Sequence, residues 1–170
     1  MKVEESQADA ERLSLLEATA DEAATMLRVD RNQDPAKKIV EKINEAIVAI
    51  CLGKPHPVAQ DENADLLLGS LWGAQLVRQF GWHWADVLID DEYPEVAVIA
   101  PDRSRVVFPL AFTQACLECH CISTVALAFN MMLEDKRMDS PKAGAYDNIM
   151  MHIHHLIPPY FLEDTVKHRA

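Results

Sequence analysis

A change of period near the middle of the chain constrains the fold more than any other feature. Up to Phe80 the apolar residues recur by threes and fours, and from Trp82 they alternate. In "WHWADVLID", His83, Ala85, Val87 and Ile89 point one way, and Trp82, Trp84, Asp86 and Leu88 the other, which is a strand. "DEYPE" is a turn, "VAVIA" a second strand, "PDRSR" a second turn and "VVFPL" a third strand. Two short connections in succession imply an antiparallel meander. Three strands are stable only when packed against something, and one face of such a sheet can stay wet. Helices are the available cover.

The helices read as follows. Leu13, Leu16, Ala20, Ala23 and Leu27 make one stripe in a helix from Gln7 to Leu27. Asp34 as N-cap and Pro35 at the first helical position start a second, with Ile39, Ile43, Ala46, Ile47 and Ile50 inside. Gly53 ends it, and the two are expected to form an antiparallel hairpin. A third helix spans 61–80 and stops at Gly81. After Pro109 a single helix from Leu110 to Glu134 carries the stripe Ala115, Cys119, Ile122, Ala126, Phe129 and Leu133, and is expected to be the most central. Ser140 and Pro141 open a last helix to Leu156, with Tyr146, Ile149, Met150, Ile153 and Ile157 facing inward. The expected fold is α+β. It is mostly helical, with a small three-stranded antiparallel β-meander packed against helices. It forms one domain over 1–170, organised as a helical hairpin (7–52), a helix plus meander (61–110) and C-terminal helices (110–157).

Charge narrows the function. The net charge of −11 repels phosphate backbones, so nucleic acid is not an expected partner, and a basic protein is attracted. The N-terminus has no apolar h-region of a secretory signal. The most apolar stretch contains Gln114, Glu118, His120 and Asn130, which suits a buried helix and not a membrane span. Four cysteines without a signal suggest reduced thiols in the cytoplasm. The sequence sets no oligomeric state.

"ACLECHCIST" concentrates three cysteines and a histidine. On a helix Cys116, Cys119 and His120 share about one third of the circumference, and Cys121 points elsewhere. Zinc would need further ligands, from His152 and His155 of "MHIHH", but these lie off the core stripe of their helix whereas Cys119 lies on its own. A redox CxxC would need its first thiol at a helix N-terminus, and Cys116 sits two turns in. Buried hydrophobic cysteines are the expected outcome, with no metal and no cofactor. There is no phosphate loop, no GxSxG and no HExxH, and Asp90, Asp91 and Glu92 read as a solvated hairpin tip. No catalytic residue is assigned, and an enzyme is not expected.

The segment "LLLGSLWGAQLVRQFGWHWADVLIDDEYPEVAVIAPDRSRVVFPLAF" resembles the bacterial domain of unknown function 3806. Leu68-Gly69, Gly73, Leu76, Gly81, Trp82 or Trp84, and Phe108-Pro109-Leu110 carry that resemblance, over residues 62–120. It implies a small acidic cytosolic protein without catalytic residues, similar to the immunity proteins that neutralise toxins of contact-dependent or type VI secretion systems. Such a protein binds a cognate toxin or effector, possibly basic, by surface complementarity. The candidate contacts are the turn residues Asp90, Asp91, Glu92, Tyr93 and Glu95, and, if their strand face is open, Trp82 and Trp84. The alternatives are a helical adaptor or chaperone-like protein using an apolar groove of the hairpin, and a zinc-binding protein using Cys116, Cys119 and His120.

Overall fold

The structure is a computed structural model that describes residues 2–90, 94–119, 123–134 and 141–156. Among these, the elements run β1 (Val3–Gln7), α1 (Ala10–Met26), α2 (Ala36–Cys51), a 3₁₀ turn (Pro57–Gln60), α3 (Ala64–Phe80), β2 (His83–Ile89), β3 (Glu95–Ile99), β4 (Arg105–Val107), α4 (Pro109–Cys119), α5 (Val125–Glu134), β5 (Asp147–Asn148) and α6 (Ile149–Leu156). The α+β class and the meander β2–β3–β4 are as expected. The sheet is larger: five strands in the order β1-β2-β3-β4-β5. β1 adds antiparallel to β2, with Glu5 opposite Val87, and β5 adds parallel to β4. The sheet is therefore mixed, not a three-stranded meander.

Both faces of the sheet are buried, so neither is the wet face the sequence allowed. One carries Trp84, Val98 and Val107 into the main core with the helices. The other carries Ala85, Val87, Ala97, Ile99 and Val106, with Val3, Ile89, Phe108 and Tyr146 packed against them. Asp90 fixes the far end of the β1–β2 pair. Its N–H donates to the Lys2 carbonyl and its carboxylate accepts from the Lys2 N–H at 2.7 Å.

The central helix is α3, not the segment after Pro109. Gly69, Ser70, Leu71, Trp72, Gly73, Gln75 and Leu76 are all buried along it. α1 and α4 pack on α3 more extensively than any other helix pair, and α2 packs on it too. α1 packs chiefly on α3, whereas α2 divides its apolar stripe among α5, α3 and α4, and α1 and α2 make few contacts with each other in place of the expected hairpin. Small residues open α3 to α4 and β2. Gly69 and Gly73 let neighbours reach the α3 backbone: a Cβ at Gly69 would fall 2.7 Å from Thr113 Oγ1, and one at Gly73 only 2.1 Å from the Trp84 ring. Gly81, with φ of 67°, ends α3 in the left-handed conformation that leads into β2.

The expected helix of 110–134 is two helices. Ser123 and Thr124 are non-helical, and Ser123 Oγ stands 3.5 Å from the Val125 N–H at the start of α5. Short hydroxyl side chains compete with helical backbone bonds, and here they supply a new start. The break turns the second half about its axis, so the single stripe fails: Ala115 and Leu133 are exposed, and Cys116, Val125, Ala128, Phe129 and Met132 are the buried set. The last helix starts at Ile149, not after Pro141, because Gly144 and Tyr146 both have positive φ, 76° and 47°. Ile149, Met150 and Ile153 do face inward, and Tyr146 stands outside the helix. Ile157 lies outside the described residues. Among these, no helix is long and apolar enough to cross a membrane.

Gln75 offers a stability test. It is 1 % exposed, its Nε2 reaches the Arg31 carbonyl only at 3.5 Å, and its Oε1 has no hydrogen-bond partner among the described residues. Arg78 already donates to the same Arg31 carbonyl. Gln75→Met keeps the volume and removes a buried acceptor, so it should stabilise by about 1 kcal/mol in urea unfolding. A loss of that size instead would mean the amide is paired.

Candidate interaction surface

The expected contact residues do not form one surface. Trp82 and Trp84 sit at the start of β2, and Asp90 follows its end, eight positions from Trp82 and so roughly 25 Å away along an extended strand. Trp82 and Trp84 are each only 8 % exposed. The Trp84 ring lies on Gly73 of α3, and Trp82 stacks at 5.8 Å on Phe80, which in turn meets Phe129 at 5.3 Å. The condition on which they were candidates, an open face, is not met, and their bulk belongs to the core. Asp91, Glu92 and Tyr93 lie outside the described residues, as do His120, Cys121 and the side chains of Cys119, His152 and His155.

Glu95 is exposed at the first position of β3. It forms the rim of a cleft of 170 Å³ whose walls are Phe108, Ala111, Phe112, Asn148, Met150 and Met151. Elements distant in sequence build this cleft. The "FPLAF" stretch places Phe108 and Phe112 one helical turn apart at the entry to α4, and the start of α6 adds the two methionines. Met151 is 57 % exposed beside these aromatic residues. An acid over an apolar, methionine-containing floor can take an apolar side chain next to a cationic one. Sequence reading named Glu95 as a candidate contact and did not place Phe108, Phe112 or Met151 beside it. The signal was there in the doubled methionine, of which the helical stripe can bury only Met150.

A second cleft, of 280 Å³, lies between α3 and α4 and is lined by Glu62, Asp65, Glu118, Gln114, Ala64 and Leu117. Gln114 Nε2 donates to Glu118 at 2.7 Å. Its three carboxylates give this side of the molecule negative potential. A third, of 590 Å³, opens where β1 leads into α1, and has Glu5, His83, Arg103 and the edges of both tryptophans in its wall. Glu5 is the most strongly shifted group there. Burial pushes its carboxyl up, but hydrogen bonds from Arg103, Tyr146 and His83 outweigh that and lower it to about 2. Arg103 Nε and Nη2 donate at 3.1 Å each, the Tyr146 hydroxyl at 2.7 Å, and His83 Nε2 is 3.2 Å away. A carboxylate so saturated stays ionised and does not exchange a proton near neutrality. It works as a clamp across β1, β2, the β3–β4 turn and the segment before β5.

Among the described residues no three His, Cys, Asp or Glu side chains group as metal ligands. No family model, curated protein or solved structure matches this chain. The likeness to domain 3806 therefore rests on the residues quoted for it.

Proposed function

We propose that this chain is a non-catalytic cytoplasmic binding protein of immunity type, which neutralises a basic toxin or effector by contact through the Glu95 cleft. The exposed Met151 and partly exposed Phe112 beneath Glu95 carry the reading. Apolar side chains grouped at the surface under an acidic rim suit a protein partner better than a small polar substrate. The net charge of −11 supports a cationic partner by speeding encounter. The resemblance to domain 3806 points the same way. The helical-adaptor alternative has less support: the stripe of α1 is spent on α3, and that of α2 on α5, α3 and α4.

Glu95→Lys combined with Met151→Asp changes only exposed positions, so the fold is retained. Affinity for the partner should fall about 30-fold or more, as for a hot-spot loss of ~2 kcal/mol. Titration calorimetry of both forms against the partner reads this out. Asp91→Asn with Tyr93→Ala should weaken the same complex. Unchanged affinity in both double variants would remove this end of the sheet as the interface.

A further inference from the structure

We infer that the outer edge of β1 takes an extended, cationic segment of a protein partner as a sixth strand. β1 ends the sheet, with β2 on one side and no strand on the other among the described residues. One pair fixes the direction of its backbone groups. The Asp90 N–H donates to the Lys2 carbonyl, which makes Lys2 and Asp90 a hydrogen-bonded pair of the antiparallel ladder. Such pairs alternate, so Glu4 and Ser6 turn their backbone groups to Leu88 and Asp86. Val3, Glu5 and Gln7 turn theirs outward, and among the described residues these groups meet no partner. A row of unpaired donors and acceptors is a template for another strand. The edge is also preformed, because Arg103 and Tyr146 hold Glu5 and with it β1.

Charge selects the occupant. Residues 2–22, which make up β1 and most of α1, hold seven acids and two bases. Glu4 is exposed on the strand itself. Cationic side chains at alternate positions of an added strand would lie beside it. A second copy of this chain fits poorly. In the antiparallel register that overlaps all five residues of β1, Glu5 faces Glu5 of the other copy, and each copy brings a net charge of −11. The edge is distinct from the Glu95 cleft, since Glu95 lies two strands away on β3.

The test is NMR amide hydrogen exchange of the full chain, with a capped heptapeptide of alternating lysine and valine as the probe. At saturating peptide the Val3, Glu5 and Gln7 amides should gain about tenfold protection or more, while Glu4 and Ser6, already bonded to β2, stay unchanged. Gln7→Pro removes one outward N–H at an exposed edge position that tolerates proline, and should abolish the gain. Glu4→Lys leaves the backbone intact. It should weaken the lysine peptide about threefold or more and favour one of alternating glutamate and valine instead. Absence of protection, equal protection of the wild type by the glutamate peptide, or protection that survives in Gln7→Pro would overturn the assignment. So would spectral changes confined to Glu95, Phe112 and Met151, or outward amides already protected by a second copy before peptide is added.

Discussion

Gly73→Ala should cost this protein about 1–2 kcal/mol of stability, although alanine is the better helix former. The intrinsic gain from replacing glycine inside a helix is ~1 kcal/mol. Against it stands a Cβ placed 2.1 and 2.3 Å from two carbons of the Trp84 ring and 3.2 Å from Pro109. Real carbon contacts lie near 3.5–4.0 Å. The ring cannot swing aside, because Trp84 lies in the hydrophobic core and is paired with Val98 across the strands. Either α3 lifts from β2 or Trp84 leaves its place, and overpacking of that kind costs ~1–3 kcal/mol and at times more. Urea unfolding measures it. Trp84→Phe in the Gly73→Ala background frees the space that the distal ring occupied, so the double variant should be more stable than the sum of the single changes predicts. Simple additivity would mean that the close approach is not what holds Gly73.

Acid should release the clamp around Glu5. Its carboxyl is held at about 2 in the folded chain, against 4.5 ordinarily. A carboxyl lowered on folding contributes its full stability above the unfolded value. That contribution fades as pH falls from about 4.5 towards 2. The carboxylate has access to solvent at the cleft mouth, so screening trims the contribution to ~1–2 kcal/mol. Glu5→Gln keeps the shape and loses the charge. The wild type should exceed it in stability at pH 6, and the two should converge only as pH approaches 2. A gap that persists at low pH would assign the effect to packing and not to the ion pair with Arg103. The same clamp explains Tyr146. Its hydroxyl is spent on Glu5, which holds the residue at positive φ ahead of β5 and out of the helix.

Periodicity made the meander and the inner faces of α1 and α2 legible, because each of those elements buries one regular stripe. β1 was not legible. "VEESQ" has one apolar residue in five, and its strand character comes from pairing with β2 and from Glu5 meeting a cation and a phenol contributed from far along the chain. The central role of α3 was hidden for a related reason. Glycines read as helix-weakening in one dimension, yet Gly69 and Gly73 are where α4 and β2 come closest. The division between α4 and α5 was visible only as a hydroxyl pair at Ser123 and Thr124, too weak a signal against an apolar pattern that ran on through it. At the candidate cleft, charge pointed to Glu95. The apolar floor came from three separate elements that no local pattern joins.

Native mass spectrometry of the chain isolated from its source cells at low ionic strength tests the central claim most directly, when repeated on Glu95→Lys/Met151→Asp. The wild type should carry one stoichiometric basic protein and the variant should lose it. A wild type that is bare or carries zinc alone, or a variant that keeps the same partner, would contradict a binding function at the Glu95 cleft.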